Sequence, residues 1–92
     1  MRLLRCLARV ARRWEDAGQP EAAAECYLRC IEADPLFEAP YRNLMLSYQR
    51  AGDQVEARAT YERLRTILQA RLKTAPSPET QAAYANLKAS GP

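Results

Sequence analysis

The sequence predicts an all-α fold: two helical hairpins stacked in chain order and closed by a fifth, capping helix. Three observations carry this expectation. Trp14, Gly18, Ala23 and Tyr27 return as Tyr48, Gly52, Ala57 and Tyr61, each displaced by 34 residues. A fixed offset of that size marks a stacked helix-turn-helix repeat. The chain is rich in Ala, Leu, Arg and Glu, which favour helices, and poor in Val, Ile and Phe, from which strands are built. Gly18, Pro35, Gly52 and Pro78 punctuate it where helices have to stop or start.

The first helix is expected over residues 3–17, where Leu3, Leu7, Val10, Trp14 and Ala17 recur at three- and four-residue steps. It begins almost at Met1 with no cap residue ahead of it, which leads us to expect a fragment of a longer chain. Gly18 ends it, because glycine takes the left-handed closing conformation at little steric cost. Pro20 then opens the second helix in its first turn, and Ala23, Tyr27, Cys30 and Ile31 form its buried stripe. Asp34-Pro35 stops that helix near Ala33 and turns the chain into the second hairpin.

The third helix spans about Glu38 to Ala51 with a core stripe of Tyr41, Leu44, Met45 and Tyr48. Gly52 closes it, and Asp53 caps the fourth helix with Glu56 three residues on, in the manner of a capping box. The fourth helix runs from about Gln54 to Leu72, with Ala57, Tyr61, Leu64, Leu68 and Leu72 on one face and Ile67 beside them. No Asp-Pro interrupts it, so it overruns the standard hairpin by about a turn. Thr74-Ala75-Pro76-Ser77-Pro78 is a rigid turn, Ser77 an N-cap, and residues 78–89 the capping helix, turning Thr80, Ala83, Tyr84 and Leu87 inward.

Composition excludes more than it assigns. The net charge of +3 and pI near 9.0 permit an acidic partner without demanding nucleic acid. No apolar run approaches a membrane span, and no segment reads as a signal peptide. Three cysteines, an odd number, fit a reducing cytoplasm. With histidine absent, Cys6, Cys26 and Cys30 make a poor zinc set, so no metal or cofactor is expected. Glu15, Asp16, Glu21, Glu25 and Glu32 stand beside no nucleophile, which excludes a legible catalytic site.

Both hairpins resemble tetratricopeptide (TPR) motifs. Repeat one, residues 4–37, supplies Leu7, Val10, Ala11, Trp14, Ala23, Tyr27, Cys30 and Pro35; repeat two, residues 38–71, supplies Tyr41, Leu44, Met45, Tyr48, Ala57, Tyr61 and Leu64. The resemblance implies a right-handed stack in one domain over residues 1–92. Met45 and Leu64 replace small residues, so looser or shifted packing is expected in the second hairpin.

A more specific likeness lies in Asp34-Pro35-Leu36-Phe37-Glu38, Leu44-Met45, Arg50-Ala51-Gly52, Tyr61-Glu62-Arg63-Leu64-Arg65 and Pro76-Ser77-Pro78-Glu79-Thr80, in that order. This string resembles the C-terminal part of the bacterial transcriptional activator domain. The resemblance implies a non-enzymatic module of a cytoplasmic transcriptional regulator, making protein contacts or self-associating, with DNA read by another domain of the parent protein. Direct nucleic-acid binding through the arginines is the alternative.

The candidate site is the concave face, which TPR geometry lines with the first helix of each hairpin. Arg5, Ala8, Arg12, Glu15 and Asp16 project there from the first helix, and Ala39, Arg42, Leu46, Gln49 and Arg50 from the third; of these, Arg5, Arg12, Arg42, Leu46, Gln49 and Arg50 are the candidate binding residues. An apolar Leu46 among arginines suits an acidic, partly apolar peptide or helix. Leu3, Leu4 and Leu7 add the expectation of a homodimer through the first helix or the terminal one.

Overall fold

The computed structural model describes Arg13, Gly18 and residues 20–90. Apart from Arg13, the helix expected over residues 3–17 lies outside the described residues. Four helices follow: α1 (Pro20–Ala33), α2 (Glu38–Arg50), α3 (Gln54–Leu72) and α4 (Pro78–Ser90), with no strand among the described residues. They are the second to fifth helices read from the sequence. α2 packs against both α1 and α3, and α4 lies against α2 and α3.

The turns form for local reasons. Gly18 and Gly52 sit at φ +76° and +81°, the left-handed region foreseen for both. At the end of α2 the Gly52 N–H donates to the Gln49 carbonyl at 3.0 Å and the Asp53 N–H to the Tyr48 carbonyl at 2.8 Å. That pair of bonds is a Schellman closure, which satisfies carbonyls the helix end would otherwise leave orphaned. Asp53 caps α3 by accepting the Glu56 N–H at 3.1 Å. The reciprocal half of the capping box is not available, because the Asp53 N–H is already spent on Tyr48. At the other joint, the Tyr41 hydroxyl donates to the Pro35 carbonyl at 2.8 Å, tying α2 to the Asp34-Pro35 turn.

The core has two parts. Ala23, Ala24, Tyr27 and Ile31 of α1 meet Tyr41 and Leu44 of α2 and Leu64 and Leu68 of α3. Met45, Ala57, Tyr61 and Leu87 join α2, α3 and α4 in the second part. Each large apolar side chain buried here contributes on the order of 1.5–3 kcal/mol. Met45 and Leu64, marked for looser packing, are both fully buried. Met45 shares its buried cluster with Leu87 of the capping helix. Tyr84 of α4 stacks on Tyr61 of α3 with ring centroids 3.9 Å apart and planes 7° from parallel.

Leu72 corrects the sequence reading. The pattern places it on the apolar face, yet it is 54% exposed. α3 has 19 residues against 13 in α2, so its last turn extends past its partner helix. The helix ends at Lys73, whose φ of 54° is left-handed, with the Lys73 N–H donating to the Gln69 carbonyl at 3.2 Å.

Candidate functional site

α2 carries the candidate face. One side of it buries Tyr41, Leu44, Met45 and Ser47. Arg42, Leu46 and Arg50 follow one another at four-residue steps on another side, with Gln49 beside them. Leu46 is 36% exposed and Arg50 is exposed, while Arg42 and Gln49 are half-buried. Arg5 and Arg12, the remaining residues expected on this face, lie outside the described residues.

Arg42 is engaged where the sequence suggested only an outward-facing charge. Its Nη1 donates to Thr80 Oγ1 at 3.1 Å, and its Nη2 lies 3.4 Å from Glu79 Oε2. Both partners belong to the first turn of α4. Thr80 is fully buried, and its hydroxyl donates to Glu38 Oε1 at 2.8 Å. The same carboxylate oxygen accepts the Ser77 N–H at 2.9 Å. Ser77 in turn caps α4, its Oγ accepting the Thr80 N–H at 3.4 Å, and the Gln81 side chain donates to the Pro76 carbonyl at 2.8 Å. The Pro-Ser-Pro-Glu-Thr stretch is thus a docking turn, and Glu38 and Arg42 on the first turns of α2 are its seat.

The seat is electrostatically matched. Burial pushes the Glu38 carboxyl upward, but the Ser77 N–H, the Thr80 hydroxyl and the Arg42 charge outweigh it, leaving the group below its ordinary value. Sequence reasoning missed this arrangement. Glu38 read as a helix start, Thr80 as core and Arg42 as part of a binding face. The one available signal was a buried-stripe position held by a threonine, which needs a hydrogen-bond partner.

Cys30 is buried, and desolvation followed by the neighbouring Cys26 raises its thiol above the ordinary range, which disfavours the reactive thiolate. Among the described residues, no group of three His, Cys, Asp or Glu side chains could hold a metal ion. No helix among them is long and apolar enough to cross a membrane.

Comparison with known proteins agrees with this architecture. The family model of the bacterial transcriptional activator domain matches residues 1–88. A TPR repeat-containing protein of Pseudomonas aeruginosa is 45% identical over 47 residues, which cover 51% of this chain and 45% of that relative. The chain thus spans a little under half the length of the curated relative it matches. No solved structure matches the chain.

Proposed function

The chain belongs to the bacterial transcriptional activator domain family, and from that premise we propose that it is a non-enzymatic protein-interaction module of a cytoplasmic transcriptional regulator. Residues 1–92 act in this reading as one TPR-like unit, with DNA contacted by another part of the parent protein. The module presents Arg42, Leu46, Gln49 and Arg50, together with Arg5 and Arg12, to an acidic and partly apolar peptide or helix. The observation that carries this is Leu46, held 36% exposed on α2 between arginines one turn away on either side. An apolar group flanked by guanidinium groups matches the alternation of carboxylate and aliphatic side chains on an amphipathic acidic helix.

Direct nucleic-acid binding fits less well. Arg29 lies 3.7 Å from Glu25, Arg65 lies 2.6 Å from Glu62 and Arg42 faces Glu79, so carboxylates interrupt these positive charges. The electrostatic footprint of nucleic-acid binding is a patch or stripe of clustered basic residues. Fluorescence anisotropy decides between the two. A labelled amphipathic peptide of Glu, Leu and Ala should bind, with Leu46→Ala and Arg50→Gln weakening it. Tight binding of short duplex DNA with a steep dependence on salt would reverse the assignment. Self-association belongs to the same reading, with Leu3, Leu4 and Leu7 as its apolar patch. Sedimentation equilibrium should show a concentration-dependent dimer that Leu4→Glu disperses.

A further inference from the structure

We propose that Glu79 is an internal stand-in for the partner's carboxylate: it masks Arg42, and an acidic partner binds this face by displacing it. The proposal rests on the α2 face being the interaction surface, and it names the group on the partner that Arg42 receives.

The two sides of the Arg42 guanidinium are held very differently. Nη1 is fixed by Thr80 Oγ1 at 3.1 Å, and Thr80 is itself fully buried and bonded to Glu38. The guanidinium therefore stays in place whether or not Glu79 contacts it. Nη2 meets Glu79 Oε2 at 3.4 Å, longer than the roughly 2.7–2.9 Å of a good charge-assisted bond. The Glu79 side chain is 78% exposed, against 25% for Arg42. Water already solvates the Glu79 carboxylate, so moving it away costs little. It also stands in the first turn of α4, where the helix dipole favours a negative charge without the contact to Arg42.

Arg42 is thus a preorganised cation covered by a weakly held anion. Leu46 lies one turn further along α2, about 6 Å on. A ligand with a carboxylate and an aliphatic group at that separation satisfies both. An acidic amphipathic helix has this spacing between successive turns.

Anisotropy titrations with the labelled Glu/Leu/Ala peptide test the idea on the full chain. Glu79→Gln should tighten binding by about two- to five-fold, the range expected for removing a competing exposed ion pair. Arg42→Gln should weaken binding, and the Arg42→Gln/Glu79→Gln double variant should show none of the gain. Glu32→Gln on α1 removes the same charge and should leave affinity unchanged. Glu79→Asp, with a shorter side chain, should give an intermediate gain, and circular dichroism melts of each variant report its fold. If Glu79→Gln binds as the parent does, or Glu32→Gln gains equally, while Arg42→Gln still weakens binding, the masking role is wrong and the interaction face stands. If the peptide binds no form of the chain, or Arg42→Gln has no effect, both are wrong.

Discussion

The hydroxyl of Thr80 donates to Glu38 Oε1 at 2.8 Å, joining residues 42 positions apart. A threonine hydroxyl has one proton and two lone pairs. With its proton committed to Glu38, Thr80 accepts from Arg42 Nη1 at 3.1 Å and from the Ser77 hydroxyl at 3.2 Å. All its capacity is used, with no solvent exposure. Apolar contacts hold α4 to the stack through Tyr84 and Leu87, and this saturated hydroxyl fixes where its first turn sits.

Thr80→Val keeps the shape and removes the hydroxyl. Glu38 and Arg42 each lose a partner inside the seat. The expected loss is about 2 kcal/mol, since hydrogen bonds to charged groups are stronger than neutral ones. Urea denaturation measures it, and Thr80→Ser should recover most of the difference. A change below about 0.5 kcal/mol would show the network to be energetically idle.

The Glu38 carboxyl is held below its ordinary value in the folded chain. A depressed carboxylate contributes stability above its unfolded pKa of about 4.3 and loses it as pH falls through the lower folded value. Glu38→Gln should therefore be clearly less stable than the parent at neutral pH. The difference in melting temperature should shrink as pH falls below about 4. A gap that stays constant into acid would contradict the ionised seat.

Lys73 occupies a left-handed conformation at φ 54° that costs a non-glycine residue about 1–2 kcal/mol. Lys73→Gly should raise stability by up to about 1 kcal/mol once glycine's greater unfolded entropy is set against that strain. A thermal melt should shift upward by several degrees, and a downward shift would refute the strain at this cap.

Gly52 has nothing within 4 Å of an added Cβ, so any penalty there comes from its φ of +81° alone. Gly52→Val should destabilise by roughly 1–3 kcal/mol. Ala70→Val, at an exposed position of α3, should cost only a few tenths to about 0.7 kcal/mol. Equal melting temperatures for the two variants would remove the turn from the account.

What the sequence made legible was local and periodic. Gly18 and Gly52 announced their own φ, Asp53 its cap and Pro78 the start of α4, because each signal acts within a few residues. The stripe of Ala57, Tyr61, Leu64 and Leu68 was readable from the helical repeat, and all four are buried. Leu72 continued that pattern and still came out exposed, since periodicity says which way a residue points and not how far the neighbouring helix reaches. Lys73 gave no warning, because left-handed caps are signalled by Gly or Asn. In the candidate face, the exposure of Leu46 followed from its being off the stripe. The engagement of Arg42 did not, since polar contacts between residues 38 and 80 have no period to betray them.

The seat also decides which hairpin α4 can dock on. One 34-residue period before Glu38 and Arg42 stand Leu4 and Ala8, which offer neither the carboxylate nor the guanidinium. The docking turn is therefore addressed to the second hairpin alone. A hairpin copied ahead of it would leave the turn and its seat intact. Inserting one behind it strands the turn on a stranger, unless the newcomer brings its own acid and base at the same two positions. The choice of hairpin is thus written in two polar residues, Glu38 and Arg42, that the hairpin before it does not repeat.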